Sequence, residues 1–160
     1  MKIVDICCIP VHSPQRGRNY LFIKIETDEG IHGLGEAGIT GKELAIQGVI
    51  EHFRPMLIGE DPSRIEFIWQ RLYRGGFFKG GQILTAAISA VDIALWDIRG
   101  KALGLPVYEL LGGLCRDRAI CYPHVRGETL LEFLDDADRA LGEGYKFVRL
   151  HAISEHDNIF

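Results

Sequence analysis

Near residue 115 the sequence changes from one secondary-structure pattern to another. Before that point, alternating apolar residues predict a three-stranded meander, and apolar residues at helical spacing follow it. After it, the pattern predicts a strand at residues 118–124, a helix to about residue 141 and a second strand at residues 146–151. A helix between two strands is typical of a parallel βαβ unit. We therefore predict an α+β module over residues 1–115 and the start of an α/β module over residues 116–160.

The first module is predicted in more detail from its periodicity. The meander has strands at residues 2–10, 19–27 and 31–37, and Leu21, Ile23 and Ile25 share one face of the second strand. Three helices follow, at residues 42–53, around 65–72 and at 83–103. The third helix carries few charges, so we expect it to be largely enclosed, with Gly104 ending it.

Composition narrows the class of protein. The chain has 160 residues, of which 47% are hydrophobic and 25% charged, and its formal net charge is −4. These values are typical of a soluble globular protein and argue against a nucleic-acid partner, which favours a basic face. Because no apolar run approaches bilayer length and the N-terminus lacks signal-peptide features, we expect no membrane partner and a cytoplasmic location. The four cysteines lack C-x-x-C spacing, and we expect them to serve as small core residues.

Two motifs on the first module have structural interpretations that we favour over functional ones. Residues 33–38 match G-x-G-x-x-G, but they lie in a predicted antiparallel strand rather than between a parallel strand and a helix. We expect these glycines to allow a close backbone approach. Asp92 and Asp97 lie five residues apart on the long helix, a spacing that does not place them on one face. We expect capping or ion pairing there, and no metal site.

The second module holds the most informative side chains. Arg149 and His151 share one face of the last predicted strand, and His124 ends the preceding strand. In a (β/α)8 barrel the C-terminal ends of the strands carry the chemistry, so these three residues would meet at one mouth. Two basic groups there could stabilise an anion or move a proton. The loops around Arg16 and Arg18 and around Phe77 and Phe78 are candidate lids, although a solvated loop and a satellite apolar cluster are the simpler interpretations.

A resemblance to a known family extends these inferences. The run from Ala86 to Ile98 that ends in Leu110-Leu111-Gly112-Gly113 resembles the capping domain of the enolase superfamily, in its mandelate racemase/muconate-lactonizing branch. The segments at residues 18–19, 33–37, 41–45 and 124–129 resemble the acid-sugar dehydratases of that branch, especially the mannonate dehydratase-like group. The resemblance covers essentially the whole chain.

The resemblance implies an α+β cap over the mouth of a modified (β/α)8 barrel. It also implies a Mg²⁺-dependent reaction in which a base removes the proton α to a carboxylate and the β-hydroxyl leaves as water. By position it gives Arg149 and His151 catalytic places, with a tyrosine base beyond residue 160. His151 stands where the mannonate dehydratase-like group has a glutamine, so it could be a base or only a substrate contact. It gives His124, Thr40 and Phe78 places that contact substrate. Because Thr40, Phe78 and Arg126 depart from the mannonate dehydratase-like pattern, galactonate, gluconate and other aldonates stay open as substrates.

The resemblance also implies that the three carboxylate ligands of Mg²⁺ come from barrel strands beyond residue 160. Two barrel strands cannot close a barrel of eight, so we expect the chain to be the N-terminal portion of a longer, homo-oligomeric enzyme that acts on a sugar acid. Two alternatives remain. The chain could be a non-catalytic cap or interaction module, or the complete protein could be a racemase or cycloisomerase of the same superfamily.

Overall fold

The computed structural model of the protein describes residues 1–15, 17–78 and 80–150. It contains two compact units, Met1–Gly113 and a second unit that begins at Leu114. Within the described ranges, no helix is both long and apolar enough to cross a membrane.

The first unit opens with a three-stranded antiparallel sheet. Its strands are β1 (Ile3–Ser13), β2 (Arg18–Thr27) and β3 (His32–Ala37), in the order β1-β2-β3. The turn between β2 and β3 needs the positive φ of Gly30, +79°, which a glycine adopts without strain. The inner face of β2 is fully buried, at Leu21, Ile23 and Ile25. The predicted meander and the alternation of β2 are therefore confirmed.

Four helices complete this unit: α1 (Glu43–Leu57), α2 (Ile65–Arg74), α3 (Gln82–Leu103) and the short α4 (Val107–Leu110). The long helix α3 packs against β2 and β3 on one side and contacts α1 and α2. It ends at Gly104, whose φ of +66° is left-handed, as predicted. One core joins sheet and helices, because isoleucines of the sheet and alanines of α3 are buried in the same cluster. Ile93 at 46% exposure shows that α3 is not enclosed on every side.

The glycines of β3 explain the G-x-G-x-x-G match. A Cβ atom on Gly33 would lie 1.9 Å from the carbonyl oxygen of Ala94, and one on Gly35 would lie 1.9 Å from that of Ala90. Any side chain at either position would therefore collide with the backbone of α3. The predicted close approach is confirmed, and the motif serves to pack a strand on a helix.

Asp97 ties α3 to the edge strand β3. Its carboxylate accepts a hydrogen bond from the backbone N–H of Leu34 at 2.9 Å and from Lys101 Nζ at 2.7 Å. Lys101 Nζ also donates to the carbonyl oxygen of His32 at 2.7 Å. The predicted ion pair is confirmed for Asp97, although it is half-exposed rather than buried, and the pair also satisfies backbone groups of a strand edge that β2 does not cover.

Asp92 differs from Asp97, because no cation lies within ion-pair distance of it among the described residues. Burial of the carboxyl, with a smaller contribution from the charge of Glu66, raises its pKa. A raised pKa means that the folded state binds the proton more tightly, so the charged form of Asp92 destabilises the fold as the pH rises through that pKa. We therefore expect Asp92→Asn to raise Tm at pH 7. The gain should shrink as the pH falls toward 4, and thermal unfolding of both chains across that range tests it.

The second unit is built around helix α5 (Leu130–Gly142). Thr129 Oγ1 accepts from the N–H of Glu132, and the Glu132 carboxylate accepts in return from the N–H of Thr129, which completes the predicted capping box. Strands were predicted at residues 118–124 and 146–151, and the described part of these ranges forms a single bridge between His124 and Arg149. Parallel strands are ordinarily held between neighbours, and no third segment pairs with these two within the described residues.

The capping box supports a stability prediction. We expect Thr129→Ala to destabilise α5 by about 1 kcal/mol, because the N–H of Glu132 loses its acceptor. Faster amide hydrogen exchange in the first turn of α5, with exchange in α3 unchanged, is the expected result. Equal exchange rates in the two chains would show that the cap contributes nothing measurable.

The cysteines divide between the two units. Cys7 and Cys8 are half-buried, and burial raises the pKa of the Cys8 thiol to about 11. Cys115 and Cys121 are exposed, so the prediction that all four serve as core residues is wrong for these two. Only Val125 and Ala140 are buried apolar residues in the described part of the second unit, which therefore offers little core for a thiol to join.

Candidate functional site

The second unit brings His124 and Arg149 side by side in a parallel bridge. The N–H of Arg149 donates to the carbonyl oxygen of Pro123 at 2.9 Å, and the N–H of Val125 donates to the carbonyl oxygen of Arg149 at 3.0 Å. Residues in register on neighbouring extended segments project to the same face. Both residues are exposed.

The ring of Tyr122 extends this face. It stacks on the His124 ring with a centroid separation of 6.2 Å and an interplanar angle of 9°. Val125, which alternates with His124, is 3% exposed and therefore lies on the covered side. The segment thus has one buried face and one open face, and the imidazole and guanidinium occupy the open one.

The loop that follows His124 is fixed to α5. Asp136 accepts from the N–H of Arg126 at 2.9 Å and pairs with Arg139, and this pairing holds the pKa of the Asp136 carboxyl below its usual range. A Cβ atom on Gly127 would lie 2.5 Å from the backbone nitrogen of Phe133, so the loop and the start of α5 are in close contact. These contacts position the segment that carries His124.

The chemistry of this pair follows from its two side chains. A guanidinium stays charged and offers five N–H donors, so Arg149 can stabilise a carboxylate or a developing oxyanion. An imidazole has two ring nitrogens that can donate or accept a hydrogen bond. His151, the third member of the predicted cluster, lies outside the described residues.

In the first unit, Thr40 follows the end of β3 and is exposed. Its hydroxyl accepts a hydrogen bond from Arg18 Nη2 at 2.9 Å. The sequence points to both residues but does not predict their contact, although the register of the sheet places them opposite each other. Leu21 pairs with Ala37, and continuing that register by three residues past the end of the ladder brings Arg18 opposite Thr40. Arg16, the other arginine of this loop, lies outside the described residues.

Phe77 and Phe78 form the exposed tip of a glycine-flanked loop. Their side chains are 92% and 88% exposed, and their rings meet edge to face at 5.2 Å. Phe78 also lies at a cavity of about 180 Å³ that is lined by residues of α1, α2 and the start of α3, among them Met56, Leu72 and Leu84. The two rings are not part of the buried core cluster of this unit.

The described residues do not by themselves fit a metal ion. Across residues 1–15, 17–78 and 80–150, no three His, Cys, Asp or Glu side chains are grouped in a way that could hold one. Asp97 is already occupied by the N–H of Leu34 and by Lys101. No step of a reaction can therefore be assigned to a metal held by these residues.

Comparison with known proteins identifies the family. The sequence model for the mandelate racemase / muconate lactonizing enzyme N-terminal domain matches residues 7–112. The chain belongs to this family. The match spans all three strands except the start of β1, together with α1 to α4, and so accounts for the architecture of the first unit.

Relatives of this family extend the similarity beyond the matched domain. The chain is 46% identical over 151 residues to a D-mannonate dehydratase of Caulobacter vibrioides, an alignment that covers 94% of this chain and 37% of the relative. It is 45% identical over 145 residues to a D-galactonate dehydratase of Variovorax paradoxus, covering 91% of this chain and 38% of the relative. The chain thus spans little more than a third of the length of these relatives.

A solved structure of the same superfamily gives the same result for the fold. The crystal structure of an enolase from Pantoea ananatis with bound D-gluconate and Mg superposes with a TM-score of 0.88 at 43% identity, covering 94% of this chain and 36% of that one. The three-stranded sheet and helices of the first unit are therefore those of an enolase-superfamily capping domain, as the sequence predicted.

Proposed function

We propose that this chain is the N-terminal part of an acid-sugar dehydratase. Residues 1–115 form its capping domain, and residues 116–160 supply the first βαβ of a (β/α)8 barrel. The parallel pairing of His124 with Arg149 carries the proposal, because it joins two segments on either side of a helix in the order that such a barrel requires. The dehydratase relatives indicate the reaction class.

The reaction removes water from an aldonate. A base takes the proton α to the carboxylate, and the electron pair of that C–H bond delocalises into the carboxylate to give an enediolate. The bond from the β-carbon to its hydroxyl then breaks, and the hydroxyl takes a proton and leaves as water. The resulting enol tautomerises to a 2-keto-3-deoxy acid. The product therefore differs from the substrate by one molecule of water.

The difficult step is the first one, since the α-proton of a carboxylate is very weakly acidic. Cationic groups aimed at the place where negative charge develops lower its barrier. We assign this role to Arg149, whose guanidinium projects from the open face beside His124. We assign His151 to the same cluster as a second catalytic residue.

Three further residues are proposed to contact the substrate. His124 faces the same side as Arg149, and its imidazole can donate to a substrate oxygen. Thr40 presents a hydroxyl from the capping domain, and the exposed ring of Phe78 is proposed to cover the bound substrate from its loop. An aldonate carries hydroxyls along its whole chain, so the hydrogen-bond donors of His124 and Thr40 suit it.

We propose Mg²⁺ as the cofactor, with ligands from residues outside those described. When bound, it would supply positive charge at the substrate carboxylate. We further propose a cytoplasmic homo-oligomer. A non-catalytic cap or interaction module, or a racemase or cycloisomerase of the same superfamily, is the alternative.

A product assay tests the proposal. The full-length protein encoded with this chain is incubated with D-gluconate, D-galactonate and D-mannonate in the presence of Mg²⁺, and formation of a 2-keto-3-deoxy acid is followed. We expect product from at least one aldonate and none after chelation of the metal. Epimerised or cyclised product without loss of water would support the racemase or cycloisomerase instead. Unchanged substrate in every sample would contradict dehydration, epimerisation and cyclisation of these three aldonates.

A further inference from the structure

Arg18 holds the hydroxyl of Thr40 in one orientation. Arg18 Nη2 donates to Thr40 Oγ1 at 2.9 Å, across the continued register of β2 and β3. Arg18 is itself held by an aromatic ring, because its guanidinium lies over the ring of Tyr20 at 5.1 Å from the centroid. The contact therefore joins a stacked arginine to the short side chain that follows the sheet.

The charge of Arg18 is not neutralised within the described residues, where no carboxylate lies within ion-pair distance of it. Arg54, Arg71 and Arg139 differ in this respect, since each pairs with an aspartate or a glutamate. A guanidinium has five N–H donors, and the bond to Thr40 uses one of them. Arg18 is thus held by the Tyr20 ring and the Thr40 hydroxyl rather than by a carboxylate.

The hydrogen bonds of the Thr40 hydroxyl can be counted in the same way as those of Arg18. A hydroxyl offers one donor and two acceptor lone pairs. Its oxygen accepts from Arg18, and its proton is given to no acceptor among the described residues. The lone pair that faces Arg18 is occupied, so the O–H bond is directed away from the guanidinium. The proton of the Thr40 hydroxyl is therefore the donor that this pair presents to its surroundings.

We propose that Arg18 is a positioning residue for the sugar-acid substrate, which orients Thr40 to donate its proton to a substrate hydroxyl oxygen. The inference rests on the proposed function and adds a residue to it. Sugar acids carry an oxygen acceptor on every carbon, whereas an apolar acid of the same length would gain nothing from this pair. Discrimination by a hydroxyl that must be matched is stronger than discrimination by shape alone.

Substitutions at position 40 test whether the hydroxyl group of Thr40 is needed. Serine keeps the hydroxyl group of threonine. Valine keeps the shape of the threonine side chain but has no hydroxyl group. We expect Thr40→Ser to retain kcat/KM within about threefold and Thr40→Val to lower it about tenfold, mainly through KM, as for a lost neutral hydrogen bond.

The experiment is a double-mutant cycle in the full-length enzyme with the aldonate that it turns over best. Its members are wild type, Arg18→Met, Thr40→Val and the double variant, with Thr40→Ser as the conservative variant. Arg64→Met is the matched control, because Arg64 is also exposed and stacks over an aromatic ring, that of Phe67 at 3.8 Å. Tm of each variant shows whether a loss of activity reflects a loss of structure.

If Arg18 acts through Thr40, each single variant lowers kcat/KM about tenfold and the double variant lowers it by no more than either one. A double variant whose kcat/KM falls about a hundredfold, as the product of the two single losses, would overturn the inference. So would an Arg18→Met enzyme with wild-type kcat/KM. In either case, turnover by the wild-type enzyme would still support the proposed function. A wild-type enzyme that turns over no aldonate would overturn both.

Discussion

Gly35→Ala is expected to destabilise the first unit by about 3 kcal/mol or more, and to lower Tm by roughly 10–20 °C. The new Cβ would lie 1.9 Å from the carbonyl oxygen of Ala90 and 3.1 Å from the backbone nitrogen of Ala94. Both atoms belong to the backbone of α3, so no side chain can rotate away to relieve the clash. The strand and the helix must separate, which loosens the core between them. Thermal unfolding of the two chains measures the effect.

Gly38→Ala is the matched control for this prediction. Gly38 belongs to the same G-x-G-x-x-G run, but a Cβ there would meet nothing within 4 Å, and its φ is not positive. We expect the Tm of Gly38→Ala to lie within about 2 °C of the wild-type value, because the alanine causes no clash and reduces the entropy of the unfolded chain. Equal Tm losses in the two variants would show that the strand requires glycine for a reason other than contact with α3.

Arg149→Met is expected to lower kcat for aldonate dehydration by about 10²- to 10³-fold in the full-length enzyme. Methionine keeps much of the length of the side chain and removes the charge and all five donors. The backbone bonds of Arg149 to Pro123 and Val125 do not involve the side chain, so the bridge to His124 should persist. Initial rates at saturating substrate, with Tm as the check on folding, measure the effect.

Arg118→Met provides the control. Arg118 is an exposed arginine of the same unit and takes part in no ion pair within the described ranges. We expect its kcat to match that of wild type, while Arg149→Lys, which keeps the charge and loses the planar fork, should be intermediate. An Arg149→Met enzyme with kcat within threefold of wild type would exclude the proposed role.

The first unit was predicted closely from the sequence because its periodicities are long and regular. Leu21, Ile23 and Ile25 alternate without interruption, and the buried positions of α3 repeat at helical spacing from Ala87 to Gly100. The interpretation of Gly33 and Gly35 followed from their place in a strand. The contact between Arg18 and Thr40 was missed because it lies beyond the end of the ladder, where register rather than periodicity decides which residues meet.

The second unit was predicted less well, for a physical reason. The capping box of α5 is a local signal and was found, since Thr129 and Glu132 are three residues apart. Strands depend on partners that are distant in sequence, and Arg149 has one pairing partner, His124, among the described residues. Apolar residues such as Ile120 and Phe147 gave the pattern of strands but remain 67% and 56% exposed. The position of the pair was predicted, and the length of the strands was not.

The intact mass of the native protein from its own source cells tests the central claim most directly. The relatives are between two and three times as long as this chain, whose mass is 17.9 kDa. If the chain is the N-terminal part of a dehydratase, the native mass should be well above twice 17.9 kDa. A native mass of 17.9 kDa would contradict that account and would support a stand-alone cap or interaction module.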